Sequence, residues 1–110
     1  MIRTPSEILQ GTVDILILRA LAWETMHGYA ISRWLDSRSQ GVLTVNGAAL
    51  YQALHRLEHQ RCITASWGRS ENNRKAKYYA LTPTGRAQLR AESAVWKRYA
   101  DAVSTVLHPA

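Results

Sequence analysis

Apolar residues recur at helical spacing from the start of the chain. Thr4, Pro5 and Glu7 have the residue types of a helix start, because threonine can cap, proline fits the first helical position and glutamate can complete a capping box. The apolar positions within residues 8–22 continue this helix to about Trp23 and cover more than one stripe. We therefore expect a helix that is either central or buried against a second chain as well as its own.

Two further helices follow at the same period. The second is predicted to open at residues 26–29, to continue to about Ser39 and to be stopped by the pair at residues 40–41. Asn46 is a good cap for a third helix, which should reach about Arg61. The buried stripe of this third helix is predicted to contain Leu50, Leu54 and Leu57.

After Cys62 the period of the pattern changes from helical to two. Residues 63–67 alternate apolar Ile, Ala and Trp with Thr and Ser, and residues 74–81 alternate again and include two tyrosines. The segment between them, residues 68–73, is polar and contains glycine, serine and two asparagines. Together these runs predict a β-hairpin with a polar, flexible tip.

A last helix is predicted from the cap and proline pair at Thr82 and Pro83 to about Leu107. Its seam residues alternate at spacings of three and four, as in a coiled coil, with one polar member. They are Leu89, Glu92, Trp96, Tyr99, Val103 and Val106. Because a lone helix cannot keep such a seam in water, we expect it to pair with a second chain.

Three helices followed by a hairpin is the order of a winged helix-turn-helix, in which the third helix enters the DNA major groove and the hairpin, or wing, lies along the backbone. The predicted fold class is mainly α with a β-hairpin wing and a C-terminal dimerisation helix. We assign residues 1–81 to the winged-helix DNA-binding domain and residues 82–110 to the dimerisation helix, within one compact domain overall.

Composition and charge indicate the class of protein and the kind of partner. The 110 residues are 46 % apolar, which argues against disorder, and the single cysteine excludes an internal disulfide framework. No apolar stretch reaches the length of a spanning helix and the N-terminus has no signal-peptide pattern, so we expect a soluble, cytoplasmic protein. The net charge is +6, and all of the excess lies in residues 51–110, which carry ten Lys and Arg against four Asp and Glu. This asymmetry favours a polyanionic partner.

The predicted outward face of the third helix has the chemistry of a base-reading surface. Turning 100° per residue from Leu50 places Ala48, Gln52, His55 and His59 opposite the buried stripe. These side chains are short and none is acidic, and a glutamine can read adenine through two hydrogen bonds. The plainer interpretation is that they are ordinary solvated residues.

Basic residues on the hairpin tip suit contact with phosphates, which fixes register without reading sequence. Four basic residues face one acidic residue, Glu71, although charges on a hairpin edge also discourage aggregation. The full set of predicted DNA contacts is Tyr29, Asn46, Ala48, Ala49, Tyr51, Gln52, His55, Arg56, Arg69, Arg74, Lys75 and Lys77.

Two rival functions are weaker. His55 and His59 lie four residues apart on one helical face with Cys62 following, so a metal-responsive regulator is an alternative, but a closed zinc site needs four ligands. No glycine-rich phosphate loop, paired-carboxylate motif or nucleophile elbow is present, so we predict neither an enzyme nor a cofactor. A dimeric winged-helix adaptor for protein contacts would leave the basic hairpin without a partner.

Several segments together resemble the PadR-type transcriptional regulators, in the compact subgroup of that family. They are Ile8-Leu9-Gln10-Gly11-Thr12-Val13-Asp14, His27-Gly28-Tyr29, Leu50-Tyr51 with Ala53-Leu54-His55-Arg56-Leu57-Glu58, and Lys77-Tyr78-Tyr79-Ala80-Leu81-Thr82 with Gly85. The sequence departs from the family pattern at Ala48, Gln52, Thr25 and Arg61, where glycine or proline is usual. Since two of these positions lie on the predicted reading face, operator sequence should not be transferred from other members.

The resemblance implies a bacterial transcription factor, usually a repressor, that is a homodimer through its last helix with help from its first. Two reading helices related by a twofold axis should then bind an inverted-repeat operator. It also implies a small hydrophobic or aromatic effector near the dimer interface, where Trp96 and Tyr99 are candidates to stack a flat ligand; dimer packing is the alternative role of these two rings. The predicted dimer and effector residues are Leu9, Val13, Leu16, Leu89, Trp96, Tyr99, Val103 and Val106.

Overall fold

The computed structural model describes residues 12–109, and this part of the chain forms four helices and three strands. In chain order they are α1 (Val13–Trp23), β1 (Met26–His27), α2 (Gly28–Arg38), α3 (Gly47–His59), β2 (Ile63–Arg69), β3 (Lys75–Leu81) and α4 (Pro83–Leu107). The predicted helix start at residues 4–7, and the predicted dimer residue Leu9, lie outside the described residues.

The core forms around α1, which packs against α2, α3, α4 and β3. Ile17 and Leu18 on α1 are fully buried, and Leu54 and Leu57 on α3 meet them from the predicted buried stripe. Of the two alternatives for the first helix, the central position is therefore confirmed. None of the described helices combines the length and apolarity that crossing a membrane requires.

The predicted hairpin gains a third strand. β2 and β3 pair antiparallel from Ile63 opposite Leu81 to Arg69 opposite Lys75, and β1 pairs on the other edge of β3, giving the order β1-β3-β2. The prediction that residues 26–27 open the second helix was wrong. The extended backbone there pairs with β3, and His27 instead caps α2 by accepting a hydrogen bond at Nδ1 from Ala30 N, 3.1 Å away.

Helix α3 starts and ends with defined caps. Asn46 Oδ1 accepts from Ala49 N at 2.8 Å, as the sequence predicted. At the other end Cys62 N donates to Leu57 O and Arg61 N donates to Glu58 O, the hydrogen-bond pair of a Schellman motif. Arg61 has a φ of 63°, so an arginine occupies the left-handed position that usually holds glycine.

The end of α3 is joined directly to the start of α4. Thr82 N donates to Cys62 O at 3.0 Å, and Thr82 Oγ1 lies within hydrogen-bond distance of the carbonyls of Arg61 and Cys62 while it accepts from Gly85 N. A Cβ on Gly85 would lie 2.0 Å from Cys62 O. The first turn of α4 therefore sits on the backbone that ends α3, and only glycine fits this contact.

Candidate nucleic-acid interface

Helix α3 presents the predicted polar face to solvent. Ala48, Gln52, His55 and His59 are all exposed, while the opposite stripe is buried. The exposed groups are an amide, two imidazoles and a methyl, all short enough to approach base edges in a major groove. The predicted exposure of these four side chains is thus confirmed. Their contact with bases stays a prediction.

A cleft of about 1310 Å³ opens beside this face, between α2, α3 and the wing. Its walls combine aromatic rings with basic groups, a mixture suited to a sugar-phosphate backbone, and three glutamates, Glu24, Glu58 and Glu71, also line it. Its lining includes Tyr29, Arg33, Tyr51, His55, Trp67 and Lys75. Six of the predicted contacts therefore share one concave surface: Tyr29, Tyr51, His55, Arg74, Lys75 and Lys77.

Close packing of α2 on α3 sets one wall of the cleft. A Cβ on Gly28 would lie 2.6 Å from Tyr51 Oη and 2.8 Å from the ring carbon that carries it. The absence of a side chain at this position lets the Tyr51 ring lie across the first turn of α2. This contact brings the exposed rings of Tyr51 and Tyr29 to the same cleft.

The wing tip is ordered by its own hydrogen bonds. Ser70 N donates to Arg74 O, Asn73 N donates to Ser70 O, and Arg69 Nη1 donates to Asn73 O at 3.2 Å. Tyr78 Oη donates to Arg69 O at 2.7 Å from the neighbouring strand. These contacts place the side chains of Arg69, Arg74 and Lys75 on the exposed part of the wing.

Two of the predicted cations have carboxylate partners within the chain. Arg56 on α3 donates through Nε and Nη2 to Asp14 on α1, and this hydrogen-bonded carboxylate raises the pKa of the guanidinium. Lys77 Nζ on β3 lies 3.6 Å from Glu58 Oε1 on α3. Both pairs brace α3 against a neighbouring element, and their contact with DNA stays a prediction.

Arg33 and Trp67 are two cleft residues that the sequence analysis did not single out. Arg33 on α2 is exposed, and its guanidinium carbon lies 5.8 Å from the centre of the Tyr29 ring, four residues earlier. Trp67 lies on the same face of β2 as the buried Ile63, but at this end of the strand that face borders the cleft and not the core. Trp67 is therefore 64 % exposed. Lys75 Nζ lies 4.8 Å from the centre of that ring. The i, i+4 spacing of Tyr29 and Arg33 was a usable signal, whereas the exposure of Trp67 depends on where the core ends.

The predicted dimer and effector residues fall into two groups. Val13 and Leu89 are buried in the core of the protomer and Leu16 is partly buried. Trp96, Tyr99, Val103 and Val106 form an exposed apolar stripe along α4, with the rings of the first two 5.8 Å apart. The distal half of α4 therefore carries apolar surface that its own chain does not cover.

The residues of the alternative metal site do not converge. Cys62 is buried, its thiol donates to Gln88 Oε1 at 3.4 Å, and burial raises its pKa. His55 and His59 lie on the exposed face of α3 instead. Within residues 12–109 no three His, Cys, Asp or Glu side chains are grouped to hold a metal ion.

Comparisons with known proteins agree with this geometry. The family model of the transcriptional regulator PadR-like family matches residues 17–91. An uncharacterized protein from Lysinibacillus sphaericus is 34 % identical over 84 residues, which cover 76 % of this chain and 77 % of that protein. A transcriptional regulator from Clostridium thermocellum superposes with a TM-score of 0.82 at 26 % identity, covering 91 % of this chain and 97 % of its own. For a PadR-like transcriptional regulator from Bacillus cereus the TM-score is 0.80 at 27 % identity, covering 96 % and 100 %.

Proposed function

Because this chain belongs to the PadR-like family of transcriptional regulators, we propose that it binds an inverted-repeat DNA operator as a homodimer and acts as a repressor. The observation that carries the proposal is the exposed polar face of α3 beside a cleft lined with aromatic and basic side chains. In this arrangement α3 reads bases in the major groove while the wing contacts the backbone.

The distinction between reading and holding follows the chemistry of each side chain. Gln52 is exposed on α3 and has the paired donor and acceptor that adenine requires. Arg69, Arg74 and Lys75 on the wing supply charge, which attracts phosphates of any sequence. Specificity is therefore assigned to α3 and most of the salt-dependent affinity to the wing.

The homodimer is supported by the exposed stripe of α4, with residues 82–110 as the dimerisation helix. Large aromatic and aliphatic side chains at helical spacing are typical anchors of an interface between copies of one chain. Twofold symmetry would then present two α3 helices to half-sites about 34 Å apart. Repression follows if such an operator overlaps a promoter.

Regulation by a small hydrophobic or aromatic effector is supported by the rings of Trp96 and Tyr99. Both are exposed on the stripe, and their tilted arrangement leaves faces on which a flat ligand can stack. A ligand held between two such stripes would change how the protomers pack. In this proposal, binding of the effector causes the protein to release the operator.

Selection of bound sequences from a random duplex pool tests the proposed function directly. The full chain should enrich an inverted repeat whose half-sites are separated by about one helical turn. Enrichment of a single unrepeated site would contradict the homodimer. Failure to retain any DNA at low salt would contradict DNA binding and favour an adaptor for protein contacts.

A further inference from the structure

The wing tip makes an unexpected contact with the start of α2. Glu71 is the one acidic residue in residues 63–81, and its side chain is 83 % exposed. Its Oε2 nevertheless lies 3.6 Å from His27 Nε2, at the cleft that we assign to the DNA backbone. Glu71 thus lies on a surface that also holds Arg33, Arg74, Lys75 and Lys77, with Glu24 and Glu58 as its other carboxylates.

The histidine in this contact has a fixed ring and a defined proton. His27 Nδ1 accepts the hydrogen bond from Ala30 N, so the proton of the neutral imidazole is on Nε2. The ring meets Tyr78 edge-on, with centroids 5.3 Å apart, and its side chain is only 12 % exposed. His27 Nε2 is therefore a donor held rigidly towards Glu71.

This donor is not satisfied within the described chain. His27 Nε2 is buried and has no hydrogen-bond partner among residues 12–109, because Glu71 Oε2 lies beyond hydrogen-bond distance. A buried N–H without an acceptor costs free energy that a closer anionic oxygen would recover. The position is thus better suited to an anion that approaches more closely than Glu71 does.

Arg33 adds positive charge to the same place. It lines the cleft from α2, and its charge contributes to the lowered pKa of Glu71, after the larger effects of the backbone N–H of Glu71 and the His27 side chain. A rigid N–H donor and a guanidinium that line the same cleft and both act on Glu71 are a suitable pair for a phosphate.

We propose that His27 Nε2 and Arg33 form the binding site for a DNA phosphate, and that Glu71 occupies this site in the free protein until the phosphate displaces it. The inference rests on the proposed DNA binding. A carboxylate and a phosphodiester cannot share one donor, because their like charges repel at contact distance. Since a phosphate contact carries no sequence information, Glu71 lowers affinity for all duplexes alike.

Removal of the competing charge tests the proposal, with a matched control in the same cleft. Glu71→Gln in the full chain should tighten binding about tenfold, on the selected operator and on a random duplex, in fluorescence anisotropy titrations at low salt. Glu24 also lines the cleft, so Glu24→Gln removes an equal charge without touching His27. We expect less than about a twofold change for that control.

A second variant tests whether the gain passes through His27. His27→Asn keeps a good capping side chain for α2 but removes the Nε2 donor. In this background Glu71→Gln should gain no more than Glu24→Gln does. Circular dichroism would establish that His27→Asn is folded; if it is not, Arg33→Gln takes its place with the same expectation.

The possible failures are distinguishable. Wild-type protein that binds neither duplex overturns the proposed function. Wild-type protein that binds DNA while Glu71→Gln and Glu24→Gln change affinity equally overturns only the displacement by phosphate. A gain for Glu71→Gln that persists in the His27→Asn or Arg33→Gln background would exclude the assigned phosphate site.

Discussion

Asp14 on α1 holds the guanidinium of Arg56 on α3 through two hydrogen bonds, although the two residues are 42 positions apart in sequence. The pair joins the central helix to the helix that presents the reading face. Arg56 is also a predicted DNA contact, and that contact stays a prediction; in this structure its guanidinium bridges α3 to α1.

The pair should stabilise the fold only modestly, because the Arg56 side chain is 51 % exposed. A double-mutant cycle with Asp14→Asn and Arg56→Gln should give a coupling of about 0.5 kcal/mol in urea denaturation at low salt. All four proteins must be compared at one chain concentration, since the proposed dimerisation would contribute to stability. The coupling should fall in 1 M salt, because the Debye length is then only about 3 Å and the two charges are screened from each other. An unchanged coupling would mean that packing, not charge, joins these residues.

Gln52 and Lys75 should differ in how they affect DNA binding. Gln52→Ala should weaken binding to the selected operator about tenfold and leave random duplex unaffected, because it removes only a base contact. Lys75→Ala should weaken both by a similar factor and reduce the slope of log affinity against log salt by about 1. Anisotropy titrations across a salt series measure both quantities. Equal losses on both duplexes for Gln52→Ala would show that it reads no base.

Arg61 should gain stability on replacement by glycine. Its φ of 63° at the end of α3 costs an L-residue about 1 kcal/mol, whereas glycine adopts this conformation freely. Arg61→Gly should therefore raise the free energy of unfolding by about 0.5–1 kcal/mol in urea. Arg61→Ala is the control, because it removes the same charged side chain and keeps the strain. A similar gain in both variants would trace the effect to charge.

Gly85 should not tolerate even one added carbon. The Cβ of Gly85→Ala would collide with Cys62 O at 2.0 Å, and two backbone segments would have to separate. We expect a loss of about 3 kcal/mol, or a failure to fold. Gly47→Ala is the matched control, because its Cβ would have no neighbour within 4 Å and the substitution should be neutral or slightly stabilising. Comparable thermal unfolding of the two variants would contradict the close contact.

Val103 should be needed for dimerisation. Val103→Asp places a carboxylate in the exposed stripe of α4 and should yield a monomer in sedimentation equilibrium, with loss of operator binding. Ala94 lies on the opposite side of the same helix and is also exposed. Ala94→Asp should remain dimeric, which controls for the lower helix propensity of aspartate. A dimeric Val103→Asp would place the interface elsewhere.

The sequence contained enough information for the helices and the hairpin, and less for the contacts between them. α3 was predictable because Asn46 caps it and its leucines follow one period, and α4 because Thr82 and Pro83 begin it. β1 has two residues, too few to show a period, so its pairing with Tyr78 and Tyr79 could not be read. The partners of Arg56 and Lys77 depend on how distant elements meet, which no local pattern encodes.

Because the first turn of α4 is joined to the end of α3 through Thr82 and Gly85, a small rotation at this junction moves the far end of α4 by a large distance. A helix of 25 residues extends roughly 37 Å, so a tilt of about 10° at this fulcrum displaces its distal end by roughly 6 Å. In the proposed dimer the exposed stripe lies on the distal half of α4, and α3 is joined to the other end of the same helix. A small rearrangement between the α4 helices of the two protomers would then change the distance between their two α3 helices. The protein would no longer match DNA, because the repeat of the major groove is fixed.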